Sequence, residues 1–165
     1  MKKYIGTKVV SATPAIRKGG KVYLPTDEIP KTMEPVEEGY KVVYEDGYES
    51  WSPKDVFKKA YQCIEDGMSF GHAIEFLKSG HALRRKGWNG KGLMVFKQVP
   101  AHIDGTIIPK MQSLPLSAKD QVMKHTGFID YTSQCLIYNS QTGRADSWVP
   151  SISDVFADDW EIVTD

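Results

Sequence analysis

Two dipeptides, Asp46-Gly47 and Asn89-Gly90, limit what this chain can fold into more than any other feature. Each interrupts a run rich in β-formers, and both pairs suit the positive φ angles of a tight hairpin turn. The first pair predicts a hairpin over Gly39–Trp51. The second predicts one that joins His81–Trp88 to Lys91–Val99. Antiparallel pairing is therefore expected twice, in two separate places along the chain.

Each hairpin adjoins a helix signal. After the first comes Ser52-Pro53-Lys54-Asp55, with Ser52 as N-cap, Pro53 at the first helical position and an acid in the first turn. Val56, Phe57, Ala60 and Ile64 supply that helix with an apolar face. Before the second hairpin, Ser69 caps a helix whose apolar positions are Phe70, Ala73, Ile74 and Leu77, the spacing of one helical face. Lys78 and Gly80 end it.

The remaining segments are read more coarsely. Tyr4–Val10 alternates weakly and predicts a strand, whereas residues 11–39, rich in Pro and Gly, predict loop with a short extended run at Lys21–Leu24. Residues 100–127 form an irregular connection in which Ser117–Asp120 caps one or two helical turns that Gly127 stops. Phe128–Tyr138 and Arg144–Val149 pair around the Asn139–Gly143 loop, Ser151–Asp154 caps a short helix, and Trp160–Val163 is a closing strand. The expected class is α+β. A small antiparallel sheet domain with a leading helix, residues 67–165, follows a hairpin-plus-helix module, residues 1–66. Glu65-Asp66-Gly67 is too short a linker for independent tumbling. Met68-Ser69-Phe70-Gly71 reads like the start of a free-standing product, which makes the first module an accessory.

Twenty-one basic residues balance twenty-one acidic ones. No overall attraction to a nucleic-acid polymer or an anionic membrane follows from that balance, so phosphate binding would need a local cluster. No run approaches the roughly 18 apolar residues of a membrane span, and no signal-peptide core precedes the first module. Cys63 and Cys135 match no metal spacing and are expected to be reduced and partly buried, as in a cytosolic protein. The histidines His72, His81, His102 and His125 form no metal-ligand pair. No nucleophile elbow, phosphate loop or dinucleotide fingerprint occurs. A non-enzymatic protein without a metal or cofactor is expected.

The densest chemical signal is Arg84-Arg85-Lys86-Gly87-Trp88-Asn89-Gly90-Lys91-Gly92. Guanidinium groups fork onto phosphate oxygens, an indole offers a face to a base, and glycines let backbone N–H groups approach an anion. A charged hairpin with Trp88 in the core would explain the same residues. Strand alternation puts Arg84 and Lys86 on one face and Arg85 on the other. A second cluster runs from Trp148 through Ser151 to Asp154 and places an indole beside a helix N-terminus. An ordinary cap, with Asp154 returning to Ser151, competes with that reading. Phe70-Gly71 puts glycine in a first helical turn, which hints at close approach by a ligand or another chain.

In this order the pieces resemble the Thoeris anti-defence 2 family of phage proteins. The resemblance rests on Met68–Glu75, the run Arg85–Gly92, the Trp148-x-Pro150-Ser151-x-x-Asp154 pattern and Ala157–Val163. It implies a sponge that binds glycocyclic ADP-ribose signals made by bacterial TIR-domain enzymes, in the host cytoplasm. It also implies a homotetramer with pockets at subunit contacts, and for some members cyclic dinucleotides at separate sites. The implied ligand contacts are Phe70, Gly71, Arg84, Arg85, Lys86, Trp88, Asn89, Gly90, Lys91, Trp148, Ser151 and Asp154. Two other readings are an enzyme, phosphodiesterase-like, that cleaves the same signals, and a phage protein-interaction module.

Overall fold

The computed structural model describes residues 1–164 and divides the chain into two units, one ending at Gly67 and one beginning at Met68. The first unit is a four-stranded antiparallel sheet built from β1 (Ser11–Lys18), β2 (Lys21–Tyr23), β3 (Val36–Val43) and β4 (Glu49–Pro53). Their spatial order is β2-β1-β3-β4, and α1 (Lys54–Ala60) follows β4.

Here the sequence expectation is corrected. Residues 1–10 carry no regular element and β1 lies inside the segment expected to be loop, whereas β2 forms at the short extended run expected over Lys21–Leu24. Gly19 and Gly20, at φ 55° and 78°, make a two-residue turn between the cross-strand partners Lys18 and Lys21. Two adjacent positive φ values are what such a hairpin demands. Pro14 is tolerated in β1 because β2 reaches only Ile16–Lys18, leaving the strand edge beside Pro14 unpaired.

The Asp46-Gly47 turn forms with a different geometry from the one expected. Only Gly47 has positive φ, at 81°, and its N–H donates to the Tyr44 carbonyl at 2.9 Å. The Asp46 carboxylate accepts from the Tyr48 N–H at 3.0 Å. Helix α1 starts one residue late, since Pro53 ends β4 and occupies the N-cap without a side-chain bond. The helix also stops at Ala60, short of Ile64. It buries no residue; Phe57 stacks between Tyr40 and Tyr61, with ring centroids 4.2 and 4.8 Å away. Trp51 packs against Gly39, where a Cβ would come within 2.3 Å of the Ser52 carbonyl oxygen and 2.7 Å of the indole.

The second unit leads with α2 (Phe70–Lys78), then β5 (Leu83–Arg85), β6 (Leu93–Lys97) and β7 (Ala101–Ile103). A 3₁₀ turn at Ile108–Lys110 and α3 (Leu116–Lys124) come next, followed by β8 (Ile129–Tyr131) and β9 (Cys135–Asn139). The chain closes with β10 (Arg144–Ser147), α4 (Ile152–Val155) and β11 (Trp160–Ile162). The main sheet is antiparallel in the order β10-β9-β6-β5-β11, while β7 and β8 pair by themselves. The strand expected over Phe128–Tyr138 is thus two strands in two sheets. Gln98 and Gln134 close the excursion between β6 and β9 through a backbone bond of 2.7 Å and a side-chain bond of 2.9 Å.

Helix α2 ends as expected, with Gly80 at φ 94°. Its Ala73 and Leu77 are buried, and it lies against β5, β6, β11 and α4. Met68, Leu83, Val95 and Trp160 complete that core, each at most 1% exposed. Met68 and Trp160 exchange backbone hydrogen bonds of 2.7 and 3.1 Å, which ties the start of the unit to its last strand. Burying such a set stabilises the unit by roughly 1.5–3 kcal/mol per large side chain before chain entropy is counted.

Candidate ligand site

Asn89-Gly90 does not make the expected tight turn. Neither residue has positive φ, and β5 and β6 are joined by the loop 86–92. The loop is held open because its bonds go to the far end of the chain. Lys86 N–H donates to the Asp159 carbonyl at 3.1 Å, and Gly87 N–H donates to the Asp159 carboxylate at 2.7 Å. Trp88 is drawn in by its indole N–H, which donates to Asp154 Oδ1 at 3.0 Å. The Asn-Gly preference is worth little against several bonds and a half-buried indole.

Asp154 is the centre of this network. It is 6% exposed and sits in α4, whose capping box is complete. Its Oδ2 accepts from the Ser151 N–H at 2.9 Å and the Ser151 hydroxyl at 2.8 Å, while Oδ1 accepts from Trp88 and from Arg85 Nη1 at 2.9 Å. Burial pushes this carboxyl up. The Ser151 N–H, the Trp88 indole, Arg85 and the Ser151 hydroxyl outweigh that effect and hold it down at about 2. Arg85 also binds Asp159 through Nε at 2.7 Å and the Ser153 carbonyl at 3.1 Å, and its side chain is only 16% exposed. Burial opposes ionisation of Asp159 as well, but Arg85 and the Gly87 N–H hold it below the ordinary carboxylate range.

The indoles form one cluster. Trp88, Trp148 and Trp160 meet edge to face, with centroids 5.4, 6.0 and 6.4 Å apart, and Phe70 tilts onto Trp160 at 5.6 Å. Trp160 is fully buried and donates its indole N–H to the Asp154 carbonyl at 3.0 Å. Trp88, Trp148 and Phe70 are half-buried, so each keeps some surface open.

Register separates the cations. Arg85 pairs with Trp160 and Leu83 with Ile162, so those side chains share the core face of the sheet. Arg84 pairs with Glu161 on the opposite face. There Arg84 Nε donates to Glu161 at 2.5 Å, and Lys86 Nζ lies 3.7 Å from the other carboxylate oxygen. Asn89, Gly90 and Lys91 are exposed in the loop, as is Ser151 at the helix start. A Cβ at Gly90 would meet Leu93 at 2.4 Å, and one at Gly87 would meet Asp159 at 2.7 Å. Those two glycines answer to packing within the unit. At Gly71 the nearest atom would be 3.8 Å away, so nothing in the unit demands glycine there.

Sequence reasoning missed Asp159 and Glu161. For Glu161 the signal was present, since antiparallel pairing of the closing strand with Leu83–Arg85 sets it opposite Arg84; Asp159 lies just before that strand, and no alternation rule points it at Arg85. Ser69, expected as a capping side chain, instead places its hydroxyl 3.3 Å from His72 Nδ1. Cys63 is exposed rather than partly buried, and both cysteines are free thiols. His102 pairs with Asp130 at 2.6 Å on the exposed β7–β8 ribbon, outside the main sheet. Among the described residues no three His, Cys, Asp or Glu side chains gather as a metal site, and no helix is long and apolar enough to cross a membrane.

Residues 68–163, which contain this whole network, match the model of the Thoeris anti-defense 2-like domain. The chain belongs to that family. The Thoeris anti-defense 2 protein of Bacillus phage SP01 is 33% identical over 102 residues, a span covering 59% of this chain and 96% of that protein. The Thoeris anti-defense 2-like domain therefore coincides with the second unit, and every expected contact from Phe70 to Asp154 lies within it.

Proposed function

We propose that the Thoeris anti-defense 2-like domain is a phage anti-defence sponge. It captures a glycocyclic ADP-ribose signal made by TIR-domain enzymes in the host cytoplasm and holds it without degrading it. The Thoeris effector is then deprived of its activator. Membership of the family across residues 68–163 carries this reading.

The geometry supports it in two ways. Half-buried Trp88 and Trp148 offer aromatic surface for a purine, and the half-exposed Arg84 and Lys86 offer charge for a pyrophosphate. Arg84 and the indole cluster lie on opposite faces of the sheet. A ligand that touches both is best enclosed between copies, which favours a homotetramer with pockets at subunit contacts. Cyclic dinucleotides would occupy separate sites. Of the expected contacts, Arg85 and Asp154 act by holding Trp88 in place.

The test is direct. Full-length protein purified from cells that make TIR signals is examined by native mass spectrometry, then heat-denatured, and the released ligand is chromatographed. A tetramer carrying nucleotide-sized adducts, recovered intact, is the expected result. Time-dependent ADP-ribose or AMP would establish cleavage instead, and an adduct-free protein would leave the sponge reading without a ligand. Signal binding should also raise the melting temperature, since a hundredfold excess over Kd stabilises by about 2.7 kcal/mol.

A further inference from the structure

Glu161 is an acid to which the expected ligand contacts assign nothing, yet its two oxygens face two of the three exposed cations of the run, Arg84 and Lys86. Oε1 accepts from Arg84 Nε at 2.5 Å and Oε2 lies 3.7 Å from Lys86 Nζ. The three side chains are exposed unequally: 51% for Arg84, 47% for Lys86 and 21% for Glu161. The carboxylate is therefore the sunken member, and the cations reach outward past it. Arg84 engages it through Nε, and about half of its side chain stays accessible. The contrast with Arg85 is sharp, because both of that residue's acids lie on the core side and its side chain is mostly covered.

A bridging carboxylate with one oxygen toward each of two cations mimics two linked phosphoryl groups. We propose that Glu161 is the selectivity-determining residue of the ligand site. It holds Arg84 and Lys86 side by side, one on each carboxylate oxygen, and lowers their net charge, so that a single phosphate binds weakly and a linked pair binds well. The inference rests on the reading that this domain takes a pyrophosphate-bearing nucleotide. Its physics is a competition between an internal carboxylate and an external anion for the same donors. Neutralising Glu161 with an amide keeps the shape and one acceptor but raises the net charge of the trio by one. Affinity for anions must then rise, and discrimination between anions must fall.

The experiment is calorimetry of the full chain with inorganic pyrophosphate and inorganic phosphate, at low and moderate salt. Wild type is compared with Glu161→Gln, Glu161→Asp and Arg84→Ala. Glu161→Gln is expected to bind phosphate about tenfold tighter, with a smaller preference for pyrophosphate and a steeper salt dependence. Glu161→Asp keeps the charge and should gain no affinity. Arg84→Ala should lose pyrophosphate binding. Unchanged or weaker anion binding by folded Glu161→Gln overturns the proposal, as does the absence of any pyrophosphate binding in either protein. If Glu161→Gln does not fold, the Glu161→Asp and Arg84→Ala results still decide. Affinity gained by the aspartate, or pyrophosphate binding kept without Arg84, overturns it. The two readings fail separately. Intact signal captured by a protein whose Glu161→Gln variant is unaltered toward anions sinks only the Glu161 role. Anion binding that responds to Glu161 in a protein that captures no signal sinks only the sponge.

Discussion

Arg17 in the first unit and Arg85 in the second each sit beside a tryptophan and are paired with acid, and they have opposite standing. Arg17 lies over the Trp51 ring at 4.1 Å and bonds to Glu37, with its side chain 42% exposed. Arg85 is clamped by Asp154, Asp159 and the Ser153 carbonyl beneath the indole cluster. The surrounding units differ in the same way. In the first, the buried apolar residues are Ala15 and Val42, and its helix buries nothing. In the second, Trp160, Met68, Leu77, Leu83, Val95 and Ile108 are nearly or fully buried. A charged group becomes structural where the core around it is deep enough to exclude water; elsewhere it remains a screened surface pair.

The largest effect is expected at the bottom of the deep core. Trp160→Ala should destabilise the Thoeris anti-defense 2-like domain by about 3–5 kcal/mol, because removing a fully buried indole leaves a cavity and takes one hydrogen bond from the Asp154 carbonyl. Urea denaturation followed by circular dichroism measures it. A loss below about 1 kcal/mol would mean that the two cores are less different than they look.

Next, Arg85→Ala should cost about 3 kcal/mol, since it strands Asp154 and Asp159 as partly buried carboxylates without their cation. Arg17→Ala should cost about 1 kcal/mol or less in the same assay. Equal losses at the two arginines would break the comparison.

Acid titration sharpens it. The Asp154 carboxyl is held at about 2 in the fold and returns to about 3.9 in the unfolded chain. A folded value below the unfolded one stabilises above the unfolded pKa and loses that contribution as pH falls through the folded one. On the order of 2 kcal/mol should therefore be present at neutral pH and disappear between about pH 4 and pH 2. Asp154→Asn should be less stable than wild type at pH 7, and the gap should narrow by pH 2.5. A gap that does not change with pH would exclude Asp154 as the titrating group.

The smallest effects distinguish two kinds of glycine. Gly47→Ala, at φ 81° with open space around it, should cost about 1 kcal/mol from backbone strain alone. Gly90→Ala meets only the Leu93 side chain, Cδ1 at 2.4 Å and Cγ at 2.9 Å, so a change of the Leu93 rotamer should hold its cost below about 1 kcal/mol. Thermal melts of both variants rank them, and the reverse order would show that the 86–92 loop is the more rigid of the two.

By itself the sequence determined the features whose causes are local. Gly80 stops α2, Ser151 and Asp154 cap α4, and the β9–β10 hairpin turns after Asn139, because each depends on residues within a few positions of one another. It also carried the family signature, through motifs that survive as short strings. The tertiary structure alone decided what distant residues do to those local preferences. β1 exists because β3 pairs along its whole length, despite Pro14. The Asn89-Gly90 pair gives up its turn because Asp154 and Asp159, more than sixty residues away, hold Trp88 and Gly87. Alternation alone separates Arg85 from Arg84 and Lys86, but only the antiparallel pairing with β11 decides that Arg85 faces the core and its neighbours stay outside with Glu161. A strand alternates faces, but which face is buried is set by what packs on it, and that information lies elsewhere in the chain.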